Sequence, residues 1–302
     1  MRILLTGVNG QVGGALRQPL STVGDVIAAD RATLDLSHPG RLATALDQIR
    51  PNLIINPAAY TAVDQAEQEK DLAFRINAEA PGAIAGWAAR NGVPLLHFST
   101  DYVFDGSGDV PWHEDSLTNP LSAYGASKLA GEKAVVAARG SHLIVRTSWV
   151  YASRGKNFLT TMVRLAKERP ELRVVADQIG APTSARMIAD IVIKLLQENC
   201  SQSPHIKAIE AVFARAHGLL HLCATGTTSW HGFATAIVDG LGTRHVPVAA
   251  TRVIPISTVD YPTPAARPKN SRLAMDRLLS FGIEPSSWEQ TLQRELDEFL
   301  QT

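Results

Sequence analysis

Short apolar runs alternate with longer amphipathic stretches through the first half of the chain. The apolar runs predict β-strands at residues 3–6, 26–29, 53–56, 95–99 and 143–146. Between them, apolar residues recur with the helical period and predict helices at 41–49, 66–90 and 123–136. Strands that alternate with helices favour one parallel sheet with helices on both faces. The pattern therefore predicts an α/β protein with a doubly wound parallel sheet.

The alternation becomes less regular after about residue 150. Helices are predicted at 190–197, 271–279 and 288–300 and a strand at 218–223, with a Pro-rich irregular stretch at 253–268. We interpret residues 1–150 as the main domain, to which parts of 151–200 and 217–240 return. We interpret most of residues 151–302 as a smaller substrate-binding annex. Residues 201–204 are predicted to be a surface loop, and no role is assigned to 205–216.

Charge and cysteine content narrow the class of protein. Lysine plus arginine and aspartate plus glutamate each total 29, so the formal net charge is zero. This balance argues against a nucleic-acid-binding protein, which needs a basic excess to neutralise phosphates. The two cysteines, Cys200 and Cys223, form no spaced framework and are interpreted as free thiols in a reducing compartment. With no signal peptide and no apolar run of membrane length, the sequence predicts a cytoplasmic protein without membrane contact.

Three glycines follow the first predicted strand and precede a helical run. Gly7, Gly10 and Gly13 are spaced G-x-x-G-x-x-G, and Asn9, Gln11 and Val12 complete the turn. A turn without side chains lets a pyrophosphate approach the backbone, and the amides of the following helix favour its negative charge. Glycines also make ordinary strand–helix turns, but the position after the first strand favours a dinucleotide site in a Rossmann-type fold.

The end of the second predicted strand bears on the choice of dinucleotide. Asp30 can accept hydrogen bonds from the ribose hydroxyls of NADH, whereas the adjacent Arg31 can meet the 2′-phosphate of NADPH. The alternative is a solvated strand end, and the choice between NADH and NADPH stays open. The remaining predicted cofactor contacts lie in loops at the same edge of the sheet: Asp35, Leu36, Ala58, Ala59, Tyr60 and Asn77.

A tyrosine and a lysine stand four residues apart in a predicted helix. Tyr124 and Lys128 therefore share one helix face, and an ammonium group near a phenol is expected to lower its pKa. Surface Tyr/Lys pairs are common, so the pair alone decides little. Thr100 lies at the carboxyl end of the strand at 95–99, where open sheets place their ligands, and can donate to a carbonyl oxygen. Together these residues predict reduction of a ketone by a nicotinamide cofactor.

These motifs resemble an extended short-chain dehydrogenase, and specifically the dTDP-4-dehydrorhamnose reductase family. The residues that carry the resemblance span nearly the whole chain: GVNGQVGGAL (7–16), NPAAYTAVDQAE (56–67), STDYVFDG (99–106), YGASK (124–128), RTSWVY (146–151), DQIGAPTSA (177–185), ATGTTSWHGFA (224–234) and RPKNSRL (267–273). The resemblance implies that hydride reduces C4 of dTDP-6-deoxy-L-lyxo-4-hexulose, giving dTDP-L-rhamnose. It assigns proton donation to Tyr124, polarisation of the ketone to Thr100, and binding of cofactor ribose to Lys128.

The resemblance also implies a substrate pocket, a metal and an assembly. The substrate contacts would be Thr61, Asp64, Thr100, Asp101, Tyr102 and Trp149, with Arg267, Asn270 and Ser271 at the nucleotide diphosphate. Part of the family is described as magnesium-dependent homodimers, but no magnesium ligands can be assigned here. His217, His221 and Cys223 resemble metal spacing only superficially, and His97 is interpreted as a core residue.

Two other functions fit parts of the sequence. One is a nucleotide-sugar epimerase of the same superfamily, which would retain bound NAD⁺. The other is a non-catalytic regulatory subunit with this fold, which could lose Tyr124 or Lys128 without consequence. The presence of Thr100, Tyr124 and Lys128 together favours the enzyme.

Overall fold

Six parallel strands form the central sheet in the order β10-β5-β4-β3-β1-β2. The computed structural model describes residues 1–198 and 205–301. Three two-stranded sheets lie outside the central one: β11 with β8, β12 with β7, and β6 with β9. The strands are β1 (Arg2–Leu5), β2 (Asp25–Ala28), β3 (Leu53–Asn56), β4 (Leu95–Thr100), β5 (His142–Thr147), β6 (Val150–Tyr151), β7 (Glu171–Val175), β8 (Ile179–Gly180), β9 (Thr183–Ser184), β10 (Leu219–His221), β11 (Thr228–Ser229) and β12 (Arg252–Ile256).

Helices cover both faces of this sheet, and the prediction of a doubly wound α/β fold is confirmed. All five strands predicted in the first half are present, and the predicted strand at 218–223 becomes β10, paired with β5. The helices are α1 (Gln11–Arg17), α2 (Pro39–Ile49), α3 (Lys70–Phe74), α4 (Ala80–Asn91), α5 (Ala123–Ala137), α6 (Phe158–Glu168), α7 (Ala185–Gln197), α8 (Ile206–Arg215), α9 (Trp230–Thr243), α10 (Asp276–Leu279) and α11 (Trp288–Leu300). The division near residue 150 stays a prediction.

Neighbouring residues of the strands point into two different apolar layers. Ile3 and Leu5 belong to one cluster of buried side chains, whereas Leu4 belongs to the other. Because side chains alternate across a strand, each central strand supplies both layers and must be apolar throughout. This explains why continuous apolar runs, rather than alternating ones, predict these strands.

The predicted helix at 66–90 is wrong as a single element. The segment contains a 3₁₀ turn at Gln65–Glu67, then α3, a π-helical turn at Arg75–Glu79 and α4. The π turn contains Asn77, which is buried and whose amide group binds both polar groups of the Tyr60 backbone and the Ser127 hydroxyl. These tertiary hydrogen bonds accompany the locally widened turn.

The second half differs from prediction in several places, and α6, α9 and β7 were not predicted at all. Only α10 of the predicted helix at 271–279 is helical, since Ser271 lies in extended chain whose amide donates to Ile179 O. The irregular stretch at 253–268 contains most of β12, which pairs with β7. Residues 205–216, left without a role, form α8, whose apolar side packs beneath the sheet. The predicted loop at 201–204 and Cys200 lie outside the described residues.

Candidate active site at the carboxyl ends of the strands

A cavity of about 1840 Å³ opens where the strand order reverses between β1 and β3. In open α/β sheets this crevice is the usual ligand site. The Thr6 hydroxyl ties the two strand ends together, since it donates to Asn56 Oδ1 at 2.6 Å and accepts from the Ala58 amide at 3.3 Å. The cavity is larger than the usual range for a single small ligand. Its size is suited to a dinucleotide and a second substrate together.

The glycine turn forms one wall of this cavity. Gly7 has a φ of +59°, and a Cβ on Gly13 would lie 2.1 Å from the Gly7 carbonyl oxygen. Gly10 is the N-cap of α1 and offers no side chain, so the first amides of this helix are free of a side-chain cap. Amides of this kind at a helix N-terminus bind anions. The turn therefore fits the pyrophosphate of a dinucleotide.

We expect Gly13→Ala to destabilise the turn by about 1–3 kcal/mol and to weaken cofactor binding, because backbone must move to admit the methyl group. Gly14→Ala is the matched control, since its Cβ would make an ordinary 3.6 Å contact with Val8 O. Thermal unfolding and a fluorescence titration with NADPH measure both effects. Equal affinities in the two variants would contradict the close-approach argument.

The structure brings most predicted site residues together around this cavity. Its lining includes Gly7, Asn9, Gly10, Gln11, Val12, Gly13, Asp30, Arg31, Asp35, Leu36, Ala58, Ala59, Tyr60, Thr61, Thr100, Asp101, Tyr102, Tyr124, Lys128 and Trp149. The lining does not include Asp64, Asn77, Arg267, Asn270 and Ser271.

Asp30 already has hydrogen-bond partners in its own turn. Its Oδ1 accepts from the amides of Ala32 and Thr33, both at 3.0 Å, and from the Thr33 hydroxyl. Hydrogen bonds from Thr33 hold the pKa of this carboxyl below its usual range. Arg31 is exposed beside it on the cavity wall. A negatively charged and a positively charged side chain therefore lie next to each other on the cavity wall.

Thr100 and Tyr124 meet at the end of β4. The Thr100 hydroxyl donates to Asp101 Oδ1 at 3.1 Å and accepts from the Tyr102 amide at 3.2 Å. The rings of Tyr102 and Tyr124 pack edge to face with their centroids 5.5 Å apart. Burial raises the pKa of Tyr124 to about 12, and a hydrogen bond with Thr100 lowers it in part. The Tyr124 phenol is therefore protonated at neutral pH.

The predicted lowering of the Tyr124 pKa by Lys128 is wrong in this structure. The Lys128 ammonium is buried and donates to the Phe98 carbonyl at 2.6 Å. Burial lowers the pKa of Lys128 to about 8, and the negative charge of Glu132 opposes that effect. Sequence reasoning considered the neighbouring charge but not desolvation, which dominates for both groups. Lys128 still carries its charge at neutral pH.

A buried ion pair beneath Lys128 is a feature that sequence reasoning missed. Glu132, one helical turn beyond Lys128, binds Arg146 of β5 through both carboxylate oxygens, with N–O distances of 2.6 and 2.8 Å. The Ser99 hydroxyl donates to the same carboxylate. Both charged side chains are at most 6 % exposed. The four-residue spacing from Lys128 could have indicated Glu132, but its partner comes from a different element.

Aromatic side chains form another part of the cavity wall. The rings of Trp149 and Trp230 stack with a centroid separation of 3.7 Å. Trp149 has a φ of +49°, in the left-handed region that bulky residues rarely adopt. A Cβ on Gly180 would lie 2.7 Å from the Trp149 ring, so glycine is needed on its other side. Trp230 was not predicted as a site residue, although it lies within the quoted motif at 224–234.

The residues outside the lining bind one another or the adjacent loops. Arg267 holds both carboxylate oxygens of Asp64, at 2.7 and 2.9 Å. Asn270 is buried, and its amide group binds the carbonyls of Ser107 and Val110. Ser271 is buried and does not line the cavity, and a hydrogen bond from its hydroxyl opposes the rise of the Asp101 pKa. Their predicted substrate contacts stay predictions.

Within residues 1–198 and 205–301, no group of three or more His, Cys, Asp or Glu could hold a metal ion. His221 is buried, and its Nδ1 lies 3.1 Å from the Ala274 carbonyl. His97 is fully buried, and its predicted place in the core is confirmed. The thiol of Cys223 is also buried, and burial raises its pKa to about 12.

None of the described helices is long and apolar enough to cross a bilayer.

Comparison with known proteins decides the family. A family model described as the RmlD substrate binding domain matches residues 1–301. The chain belongs to this family. A curated dTDP-4-dehydrorhamnose reductase from Burkholderia thailandensis is 46 % identical over 291 residues, which is 95 % of each chain. Another from Salmonella typhimurium is 43 % identical over 307 residues, covering 100 % of this chain and 99 % of the relative.

Solved structures of dTDP-4-dehydrorhamnose reductases also share the whole fold. A dTDP-4-dehydrorhamnose reductase from Clostridium acetobutylicum superposes with a TM-score of 0.89 and 36 % identity, covering 100 % of both chains. The reductase from Bacillus anthracis in complex with NADP gives a TM-score of 0.85 and 37 % identity, covering 98 % of this chain and 99 % of that one. The predicted resemblance to the dTDP-4-dehydrorhamnose reductase family is thereby confirmed.

Proposed function

We propose that this chain reduces the 4-keto group of dTDP-6-deoxy-L-lyxo-4-hexulose to form dTDP-L-rhamnose, with NADH or NADPH as the hydride donor. The observation that carries the proposal is the shared cavity: Thr100, Tyr124 and Lys128 face the same space as the glycine turn. Membership of the RmlD family and the dTDP-4-dehydrorhamnose reductase relatives support the choice of substrate.

The residues around the turn fit a dinucleotide. The uncapped amides of α1 would hold the pyrophosphate, Asp30 or Arg31 the adenosine ribose, and Lys128 the ribose nearer the reacting centre. When bound, the reduced nicotinamide supplies a hydride, which forms the new C4–H bond as the C4–O double bond becomes single. The oxygen of the reduced sugar then needs one proton from the protein.

Tyr124 supplies that proton. Because burial raises its pKa to about 12, the phenol is loaded at neutral pH and donates as negative charge develops on the sugar oxygen. The Thr100 hydroxyl polarises the same oxygen. Lys128 lies one helical turn from Tyr124 on α5, where its ammonium group would bind the cofactor ribose beside the phenol.

The decisive experiment is to incubate the protein with the 4-keto dTDP-sugar and each reduced cofactor, and then to identify the product. A reductase consumes stoichiometric NADH or NADPH, and the absorbance of the reduced nicotinamide falls. An epimerase would convert the sugar without net oxidation of added cofactor. A non-catalytic subunit would change neither compound. Either of these outcomes overturns the proposal.

The same proposal includes a cytoplasmic enzyme, as the sequence predicts, and a homodimer, as the resemblance implies for part of the family. Sedimentation of the purified protein measures the oligomeric state. The magnesium dependence of part of the family has no ligand set among the residues described in this structure.

We expect Lys128→Met to lower turnover at least about tenfold and to weaken cofactor affinity. The variant removes the buried ammonium group that is proposed to bind the cofactor ribose beside Tyr124. Lys133→Met is the control, since Lys133 is an exposed residue of the same helix. Steady-state kinetics and a binding titration separate the two effects. Unchanged affinity in Lys128→Met would remove the ribose contact from the mechanism.

A further inference from the structure

Asp101 is a buried carboxyl group directly beside the predicted ketone site. Its side chain is 2 % exposed, and its Oδ1 lies 3.1 Å from the Thr100 hydroxyl. Among the described residues, none forms a hydrogen bond of good geometry with its Oδ2. Burial raises the pKa of Asp101 to about 6, although hydrogen bonds from Ser271 and Thr100 oppose this. Both its neutral and its charged form are thus accessible close to neutral pH.

The Thr100 hydroxyl has one hydrogen and two lone pairs to distribute. The Tyr102 amide donates to one lone pair at 3.2 Å. The hydrogen can point to Asp101 Oδ1, or to the side where Tyr124 and the sugar oxygen lie. It cannot do both at full strength, since one hydrogen makes one strong hydrogen bond.

We propose that Asp101 is a positioning residue that sets the direction of the Thr100 hydroxyl and thereby the polarisation of the sugar ketone. This rests on the reductase function proposed above. A neutral Asp101 donates its own hydrogen to the second lone pair of Thr100 Oγ1, which turns the Thr100 hydrogen toward the substrate oxygen. A charged Asp101 can only accept, so it captures that hydrogen and leaves the ketone with Tyr124 alone.

The ionisable groups around Asp101 all have a higher pKa than Asp101 itself. The ionisable groups whose charge interacts with it are Tyr102 on the adjacent turn, Tyr124 on α5 and Cys223 after β10. Burial raises the pKa of all three far above neutrality, so they stay uncharged. Farther along the cavity, Lys128 loses its proton only near pH 8. Of these groups, Asp101 is therefore the one expected to change its charge at mildly acidic pH.

The pH dependence of kcat tests this directly. As the pH rises from about 5 to about 7.5, Asp101 loses its proton, and wild-type kcat is expected to fall several-fold. Asp101→Asn should be flat over this range, because the amide donates to Thr100 at every pH. Asp105→Asn is the matched control, because Asp105 lies outside the cavity and its carboxylate accepts a hydrogen bond from the Ser107 amide. This variant should keep the wild-type profile. The proposal is overturned if the fall in kcat persists in Asp101→Asn, or if kcat of the wild type does not change over this pH range.

A measurement without substrate separates this inference from the reductase function. With carboxyl-¹³C aspartate, the signal missing from Asp101→Asn identifies Asp101, and its titration gives the pKa directly. Thr100→Val should raise that pKa, because the charged form loses a hydrogen-bond donor. An Asp101 that titrates near its ordinary value of about 4, or one that Thr100→Val does not shift, refutes the coupling. If the coupling holds but the 4-keto sugar is not reduced, the proposed function alone is wrong.

Discussion

Tyr124→Phe is expected to lower kcat by about 10²–10⁴-fold, because it removes the proton that neutralises the reduced ketone. The ring and its edge-to-face contact with Tyr102 are kept, so the cavity should retain its shape. Cofactor affinity is expected to stay at the wild-type level. Steady-state kinetics with the 4-keto sugar and a fluorescence titration with reduced cofactor provide the two measurements.

Tyr261→Phe controls for the loss of a phenol as such, since Tyr261 is 60 % exposed and does not line the cavity. It should turn over the sugar at the wild-type rate. Near-normal turnover in Tyr124→Phe would show that another group donates the proton. Loss of cofactor binding in that variant would instead show that the substitution damaged the site.

Arg146→Met is expected to lower the free energy of unfolding by about 3–5 kcal/mol, the usual cost of removing one partner of a buried ion pair. The variant leaves the Glu132 carboxylate desolvated, with the Ser99 hydroxyl as a remaining donor. Glu132 also favours the charged form of Lys128. Because Arg146 holds Glu132 in place, its loss is expected to affect the active site as well as the core. Urea unfolding followed by circular dichroism measures the change.

The control is Arg164→Met, which breaks an exposed pair with Glu168 on α6. Such surface pairs contribute at most about 1 kcal/mol. A double variant, Arg146→Met with Glu132→Gln, should recover part of the loss, because it no longer buries an unpaired charge. If Arg146→Met costs no more than Arg164→Met, the buried pair does not have the structural weight assigned to it.

The sheet could be predicted from the sequence because its strands are apolar on both faces. Leu4 and Ile54 point to one layer while Ile3 and Ile55 point to the other, so the strands appear as unbroken apolar runs. The break between α3 and α4 has no such local signal. It accompanies hydrogen bonds from Asn77 to distant residues and a close approach of α5, where a Cβ on Gly131 would lie 2.0 Å from the Asn77 carbonyl oxygen.

The site was predictable where its residues occur in short motifs, and not where they meet across the fold. The glycine turn, Thr100, Tyr124 and Lys128 were found from spacing and position in the strand–helix order, and the structure places them around one cavity. The pair between Asp64 and Arg267 joins residues 203 positions apart, and no periodicity indicates it. The pKa of Tyr124 depends on burial, which the sequence does not display.

The stack of Trp149 on Trp230 builds one wall of the cavity from a different part of the chain than the proton donor. The proton donor and its partners come from residues 100–128, whereas Gly180, Trp149 and Trp230 come from later segments of the chain. Trp230 begins α9 and lines the same cavity as Tyr124. Substitutions at position 230 would therefore change the shape of this wall while leaving Thr100, Tyr124 and Lys128 in place.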